Sequence, residues 1–375
     1  MISERMHDVA IVGLGAMGSA AALELSRRGA DVIGFDRFTP PHTFGSSHGD
    51  TRIIREAYFE HPVYVPMVQR AFELWRDLER LSGTALLRQT GGLMIGAPGC
   101  TLVEGALQSA RVHGLEHAVL SAGDIRARFP VLNPLPDMVG VWEPRAGVLS
   151  PEVCIAAQLE QARRGGALLR LDEPVGHWQA EHDHVGVTTG LGHFRARQLI
   201  ISAGAWLNTL LPGMRLPFRI ERQVLHWFEP VGGADAFKPE RCPIHLWQFD
   251  GERFFYGFPD MGAGVKAAFH HGGETTTVAD VRRDVTLNEV QEVRAAVRRF
   301  VPAADGHNLA STVCLYTNTP DEHFWIDRHP AHPNVLVASP CSGHGFKFAP
   351  VIGEILADLV QDKPVRFDLG RFRWR

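Results

Sequence analysis

The feature that most constrains the fold is a glycine pattern near the N-terminus, Gly13-x-Gly15-x-x-Gly18. An apolar run at residues 9–12 precedes it, as in a strand buried on both faces, and a helical segment follows it. Residues 31–36 then read as a second strand. The order predicts a β-α-β unit of about thirty residues, in which parallel strands are joined by a crossover helix.

The spacing within this unit predicts a nucleotide site. Gly13 permits a tight turn, Gly15 lets the backbone approach a pyrophosphate, and Gly18 brings the helix close to the strand. The N-terminus of the helix attracts the anion. Asp36 ends the second strand, where a carboxylate accepts hydrogen bonds from ribose hydroxyls. Because NAD and FAD both present an ADP half to such a site, these residues leave the choice of cofactor open.

The remaining chain alternates between two patterns. Buried-strand runs recur at residues 198–202 and 334–339, whereas residues 215–310 hold short, aromatic-rich strand candidates bounded by Gly, Pro and Asp. We therefore expect an α/β fold with a doubly wound Rossmann-type nucleotide domain and a discontinuous, antiparallel-sheet substrate domain. The first domain is predicted to take residues 1–85, 145–215 and 311–375, and the second residues 86–144 and 216–310.

Composition excludes several classes of function. The 38 basic and 42 acidic side chains give a formal net charge of −4, so no basic surface for nucleic acid is expected. No stretch approaches the ~18 apolar residues of a membrane span, and no signal-peptide pattern occurs. A cytoplasmic enzyme with neither a nucleic-acid nor a membrane partner is predicted.

No metal site is expected. The five cysteines include no C-x-x-C pair. His323, His329 and His332 lie near Asp321 and Asp327 in the sequence, but their spacing matches no recognised metal site.

Three longer motifs are more specific than the glycine pattern. They are His48-Gly-Asp-Thr-Arg-Ile-Ile-Arg55, Cys314-Leu-Tyr-Thr317 with Asp321-Glu-His-Phe324, and Ser342-Gly-His-Gly-Phe-Lys347. With these motifs the sequence resembles the monomeric sarcosine oxidase and N-methyltryptophan oxidase family, flavoenzymes of the glycine oxidase/D-amino-acid oxidase-like fold. The resemblance extends over nearly the whole chain, and it implies that the nucleotide domain binds FAD.

The resemblance also implies a set of cofactor contacts. In the family, FAD is attached through its 8-methyl carbon to the cysteine that matches Cys314, and a thiolate is a suitable nucleophile for such a bond. Besides the glycine loop and Asp36, the residues expected to contact FAD are His48, Thr51, Cys314, Tyr316, Gly343, Gly345 and Lys347.

Further matches imply catalytic residues. Lys266 would lie over the flavin ring and speed its reaction with dioxygen, because a fixed cation stabilises the superoxide-like charge that develops. Taken alone, a lysine in this setting is more often an exposed strand residue. The catalytic residues expected from the resemblance are Lys266, Arg52, His270 and Tyr256.

Three residues are expected to bind the substrate. Arg55 and Lys347 match a pair that holds a carboxylate, since a guanidinium takes it bidentately and a lysine adds a compact charge. Trp247 lies near the position at which sarcosine oxidase has a methionine facing the substrate, so we expect it to contact the substrate as well.

The implied function is flavin-dependent oxidation of a secondary (N-methyl) amino acid such as sarcosine. The amine becomes an imine, which is hydrolysed to an aldehyde and an amino acid, while dioxygen is reduced to hydrogen peroxide. The alternatives are an oxidase of a cyclic or primary amino acid (pipecolate, proline) or of a glycated amine, a flavoprotein dehydrogenase, and a flavin-binding redox sensor; a nicotinamide-dependent dehydrogenase is more remote. The family favours a monomer, but the sequence fixes neither the substrate nor the oligomeric state.

Overall fold

Two large sheets and one small sheet form the fold in the computed structural model, which describes residues 2–214 and 216–374. The helices are α1 (Ala16–Arg27), α2 (Val65–Ser82), α3 (Thr101–His113), α4 (Ala122–Arg128), α5 (Pro151–Arg164), α6 (Leu207–Leu210), α7 (Leu287–Phe300) and α8 (Ala349–Val360). The strands are β1 (Ile2–Val12), β2 (Val32–Phe35), β3 (Arg52–Ile54), β4 (Leu87–Gln89), β5 (Gly92–Gly96), β6 (Ala118–Ser121), β7 (Val139–Glu143), β8 (Gly147–Leu149), β9 (Leu168–Arg170), β10 (Val175–Ala180), β11 (Val185–Thr189), β12 (Gly192–Ile201), β13 (Arg219–Phe228), β14 (Ile244–Phe249), β15 (Arg253–Asp260), β16 (Val265–His270), β17 (Glu274–Thr276), β18 (Asn308–Asn318), β19 (Trp325–His329) and β20 (His332–Ser339).

The first sheet contains the predicted β-α-β unit. Strand β1 is parallel to both β2 and β12, and β9 and β20 extend the parallel part beyond them. Antiparallel β10, β11 and β19 complete this sheet. The parallel order with a crossover helix confirms the predicted Rossmann-type arrangement.

The two faces of β1 are covered differently. Val9 and Ile11 pack into a core that includes residues of α1, α5 and α8, whereas Ala10 and Val12 pack with residues of β11 and the short helix α6. Successive strand residues point to opposite faces, so both faces of this strand are buried. The helices therefore cover one face of β1, and mainly strand residues cover the other.

The second sheet contains the aromatic-rich region. Strands β14, β15, β16 and β13 pair antiparallel in that order, and β18 lies antiparallel along β13. The predicted antiparallel pairing is thus confirmed, with one difference: β5 joins β14 in parallel. Strand β5 comes from an earlier part of the chain, so no pattern within residues 215–310 could predict this pair.

The third sheet is small and contains β3 at one edge. Strand β8 pairs antiparallel with β3 on one side and with β4 on the other.

Strand β18 crosses the predicted domain boundary between residues 310 and 311 and lies in the second sheet. The division into two domains stays a prediction. Across the part of the chain that the structure describes, no helix combines the length and apolarity needed to cross a bilayer.

Candidate active site

A cavity of about 350 Å³ lies where the two large sheets meet. The β1–α1 loop lines one part of it, and strands β15 and β18 of the second sheet line another. The predicted site residues that line it are Gly13, Gly15, Asp36, Thr51, Arg52, Arg55, Tyr256, His270, Cys314, Tyr316, Gly343, Gly345 and Lys347. The folded chain therefore brings together residues from both ends of the sequence and from its middle.

The glycine loop has the geometry that a bound pyrophosphate requires. Gly13 has φ +92°, and a Cβ at Gly18 would lie 1.8 Å from the carbonyl oxygen of Gly13, so neither position tolerates a side chain. By contrast, a Cβ at Gly15 would meet nothing within 4 Å, because it faces open space. Helix α1 starts there without an acidic residue in its first turn, which leaves its positive end available to an anion.

Asp36 is held in a fixed orientation beside this loop. The backbone N–H groups of Leu14 and Phe38 donate to its two oxygens at 2.7 and 2.9 Å. Burial raises the pKa of Asp36 above its usual value, and these two hydrogen bonds oppose that rise. Each oxygen keeps a further acceptor site, so the carboxylate fits the predicted ribose contact.

Cys314 lies against a cation. The Arg52 guanidinium donates to the carbonyl oxygens of Ser46 at 2.7 Å and Thr51 at 2.8 Å, and its Nη2 lies 3.5 Å from Cys314 Sγ. Cys314 itself is buried and lines the cavity. The Cys314 thiol also donates to the carbonyl oxygen of Ser46 at 3.4 Å, so the thiol and the Arg52 guanidinium share one acceptor.

Lys266 is buried rather than exposed on its strand, and it does not line the cavity itself but lies behind Thr51, which does. Its Nζ donates to the carbonyl oxygens of Gly49 at 2.6 Å and Thr51 at 2.9 Å, and it lies 4.9 Å from the centre of the Phe258 ring. Burial lowers the pKa of Lys266 well below its usual value, and the nearby Arg52 lowers it further. The alternative of an exposed strand lysine is therefore wrong.

His48 lies just before Gly49 and Thr51, whose carbonyl oxygens bind Lys266, and it is also buried. Burial, together with Arg52 and Lys266, lowers the pKa of His48 to about 3, so its imidazole is neutral. Its Nε2 has no hydrogen-bond partner among the described residues. Buried polar atoms are normally paired, and an unpaired nitrogen next to the cavity wall is consistent with a bound group that the protein chain does not supply.

Arg55 and Lys347 converge on the same part of the cavity. Arg55 Nη2 donates to both oxygens of Glu60, at 2.8 and 2.7 Å, and Lys347 Nζ donates to the carbonyl oxygen of His344 at 2.7 Å. Burial lowers the pKa of Arg55, but Glu60 and the other neighbouring groups together raise it above its usual value. Burial and the neighbouring Arg55 lower the pKa of Lys347 to about 7.

Three aromatic side chains line the cavity on the second sheet. His270 Nδ1 lies 3.2 Å from the hydroxyl of Tyr316, and the ring of Tyr256 lies 6.4 Å from that of His270. Burial lowers the pKa of His270 well below its usual value, which keeps the ring neutral. Gly343 has φ +76°, and a Cβ there would lie 2.4 Å from the Tyr316 ring, so glycine is required at this contact.

Trp247 does not line the cavity, which corrects the expected substrate contact. It is fully buried among apolar side chains, stacks on Phe300 at 4.8 Å and donates its indole N–H to His245 at 2.8 Å. Its neighbour Leu246 pairs with Tyr256 across β14 and β15, and both line the cavity. Alternation along a strand therefore turns Leu246 towards the site and Trp247 away from it.

Several residues of the site lie outside the set predicted from the sequence. Phe59, Glu60 and His344 line the cavity. Glu152, at the start of α5, accepts from the N–H of Gly49 at 2.5 Å and so orders the turn that holds Lys266. Glu60 and His344 lie inside or next to the recognised motifs, but no spacing rule marks a residue that contacts a motif cation.

These features place the chain in a known family. The family described as "FAD dependent oxidoreductase" (DAO) matches residues 8–359. The chain belongs to this family. It is 45% identical to the monomeric sarcosine oxidase of Streptomyces avermitilis over 370 residues, covering 98% of this chain and 96% of that protein. It is also 35% identical to the N-methyl-L-tryptophan oxidase of Escherichia coli, covering 98% of each.

Solved structures share the fold of this FAD-dependent oxidoreductase. The L-proline dehydrogenase of P. horikoshii superposes with a TM-score of 0.86 at 20% identity, over 98% of this chain and 97% of that one. The glycine oxidase of Geobacillus kaustophilus superposes with a TM-score of 0.83 at 22% identity, over 99% of this chain and 98% of that one. The comparisons confirm the predicted fold class, the family resemblance and FAD as the cofactor. Covalent attachment stays a prediction.

The glycine loop generates a first prediction. Gly15→Val would put a side chain into the open space that we assign to the pyrophosphate, and FAD binding should weaken roughly tenfold or more, since each ~1.4 kcal/mol lost is tenfold. The measurement is the ratio of flavin absorbance to protein in the purified variant. Gly190→Val is the control, because Gly190 also faces open space but does not line the cavity. Full flavin content in Gly15→Val would contradict the assignment.

Proposed function

We propose that this protein oxidises the C–N bond of an N-methyl amino acid such as sarcosine to an imine, which water hydrolyses to an aldehyde and an amino acid. The observation that carries the proposal is the convergence of two buried cations, Arg55 and Lys347, on the cavity that Cys314 also lines. The named activities of the sarcosine oxidase and N-methyl-L-tryptophan oxidase relatives support the same substrate class.

Charge balance favours a carboxylate ligand. With Lys347 protonated, Arg55 and Lys347 carry two positive charges, whereas Glu60 contributes one negative charge at the same place. A substrate carboxylate supplies the second negative charge and accepts a charge-assisted hydrogen bond from each cation. Because Glu60 already takes both hydrogen bonds of Arg55 Nη2, a substrate carboxylate would bind the remaining N–H groups of the guanidinium.

The same cations favour the reactive form of the substrate amine. Oxidation needs a free nitrogen lone pair, and nearby positive charge lowers the pKa of a bound ammonium group. His270 is neutral and Tyr316 stays protonated, since burial lowers the pKa of the first and raises that of the second well outside their usual ranges. These side chains border the amine without stabilising its protonated form.

When bound, FAD supplies a two-electron acceptor that dioxygen reoxidises, with release of hydrogen peroxide. Arg52, Cys314 and the glycine loop hold the cofactor in this proposal, and the link through Cys314 fixes it covalently. Lys266 is held in a desolvated position by the carbonyl oxygens of Gly49 and Thr51, and in its protonated form it stabilises the negative charge that develops on dioxygen. Arg55 and Lys347 orient the substrate through its carboxylate.

The test of this proposal is an anaerobic titration. Sarcosine, N-methyl-tryptophan, pipecolate and proline are added in turn to the purified yellow protein, and the visible flavin band is followed. Bleaching by an N-methyl amino acid supports the proposal. Bleaching by proline or pipecolate alone assigns a cyclic substrate instead, and a yellow protein that none of them bleaches overturns the proposed activity.

Cys314→Ser tests the covalent bond. A hydroxyl is far less acidic than a thiol and forms no such link to the flavin, so the variant should bind FAD only reversibly. Acid precipitation is expected to leave the flavin with the wild-type protein and to release it from the variant. Cys341→Ser is the control, because Cys341 also lines the cavity. Flavin released from the wild type would show that no covalent bond exists.

Lys266→Met should separate the two halves of the reaction. Anaerobic flavin reduction by substrate stays largely intact, while reoxidation by dioxygen slows by roughly a hundredfold or more, in the range found when a preorganised charge-stabilising group is removed. Stopped-flow traces of both half-reactions give the two rates. Unchanged reoxidation would refute this role for Lys266.

Lys347 should make carboxylate binding depend on pH. Its pKa is lowered to about 7, so its charge is present below pH 7 and is lost as the pH rises through that value. Acetate, which carries no amine, should bind roughly fivefold more weakly at pH 8 than at pH 6, as the protonated fraction falls. The dissociation constant is measured from the change in the flavin spectrum. Lys347→Arg should remove this dependence, and an equally steep dependence in the variant would contradict the assignment.

A further inference from the structure

Glu143 is a buried carboxylate that the proposed chemistry does not use. It is the last residue of β7, in the second sheet, and its side chain is 1% exposed. Although it does not line the cavity, it lies against the chain segment that follows β3. That segment begins at Arg55.

Both oxygens of Glu143 hold the backbone of this segment. Oε1 accepts from the N–H of Glu56 at 2.6 Å, and Oε2 accepts from the N–H of Ala57 at 2.8 Å. Two consecutive N–H groups directed at one carboxylate fix the path of the chain immediately after Arg55. The contact also joins two elements that are far apart in sequence, since 87 residues separate Glu56 from Glu143.

The fixed segment in turn orients the guanidinium of Arg55. The carbonyl oxygen of Ala57, whose N–H is bound to Glu143, accepts from Arg55 Nη1 at 2.9 Å. Glu60 takes both hydrogen bonds from Nη2. We propose that Glu143 is a positioning residue. Through the backbone of residues 56 and 57, it orients the Arg55 guanidinium towards the substrate carboxylate. The inference rests on the proposed function, because it needs Arg55 to bind that carboxylate.

The chemistry of the side chain makes this role specific. An ionised carboxylate offers an acceptor oxygen to each of the two N–H groups. A glutamine amide offers one acceptor oxygen, and its NH2 group would face the second N–H donor with another donor. Burial raises the pKa of Glu143 to about 7, with Glu56 adding to the rise and Arg55 and the two N–H groups opposing it. Assays at pH 8.5 therefore examine the ionised form.

The first test is Glu143→Gln in the flavin-loaded protein. The KM for sarcosine and the dissociation constant for acetate should both rise about tenfold, the order expected when a buried N–H loses its acceptor. The limiting rate of anaerobic flavin reduction should stay within about twofold, since substrate that does bind reacts as before. Glu173→Gln is the matched control: Glu173 is 4% exposed and accepts from Thr189 and Arg170 outside the cavity.

A double-mutant cycle with Arg55→Lys shows whether the effect passes through Arg55. If it does, Glu143→Gln should change acetate binding less than about twofold once Arg55 is a lysine, because coupled residues are not additive. Equal effects in both backgrounds, or unchanged KM and acetate binding in Glu143→Gln, would overturn the inference. Glu143→Asp keeps both acceptor oxygens and is measured alongside. If neither variant takes up flavin, Glu143 is a structural residue and the inference fails.

The outcome is separable from that of the proposed function. Acetate binding needs no turnover, so it reports on Arg55 and Glu143 even if no N-methyl amino acid bleaches the wild-type flavin. In that case the proposed substrate fails while the positioning role is still measured. Bleaching by sarcosine together with unaltered acetate binding in Glu143→Gln would overturn the positioning role alone.

Discussion

The site depends on holding the buried side chains of several Lys and Arg residues in place by hydrogen bonds. Lys266 and Lys347 are almost completely buried, and moving such charges out of water is costly unless hydrogen bonds replace the lost solvent. Backbone carbonyl oxygens do this here: Gly49 and Thr51 bind Lys266, and His344 binds Lys347. Loops that bring these carbonyl groups to the cavity are therefore as important as the cations themselves.

This arrangement makes one cavity suitable for several anionic groups. The pyrophosphate of the cofactor meets the N-terminus of α1, a substrate carboxylate meets Arg55 and Lys347, and charge developing on dioxygen meets Lys266 in the function that we propose. Of the acidic side chains that line the cavity, only Glu60 accepts hydrogen bonds from the Arg55 guanidinium. The two large sheets divide these tasks, since the α1 loop belongs to the first sheet and Lys266 to the second.

The predictions that succeeded follow from local patterns. The β-α-β unit and the antiparallel, aromatic-rich strands of residues 215–310 were predictable, because hydrophobic periodicity and glycine punctuation act over a few residues. Family motifs gave the part of the cavity lining that comes from residues 51–55, 314–317 and 343–347. The error at Trp247 has a different origin: a shift of one residue along a strand reverses the face, and the pairing of Leu246 with Tyr256 decides which face meets the cavity. The parallel pair of β5 and β14 likewise joins segments that no local pattern connects.

By itself, the sequence determined the nucleotide-binding unit, the identity of the family and the kinds of side chain available for catalysis. Only the tertiary structure decided which of them share a cavity, that Lys266 is buried, and that Glu143 and Glu152 bind the backbone near the cations from distant elements. Local patterning depends on the backbone period of helices and strands, which the sequence records directly. A contact between a carboxylate and the backbone of another element depends on how the sheets pack, and that information is spread over the whole chain.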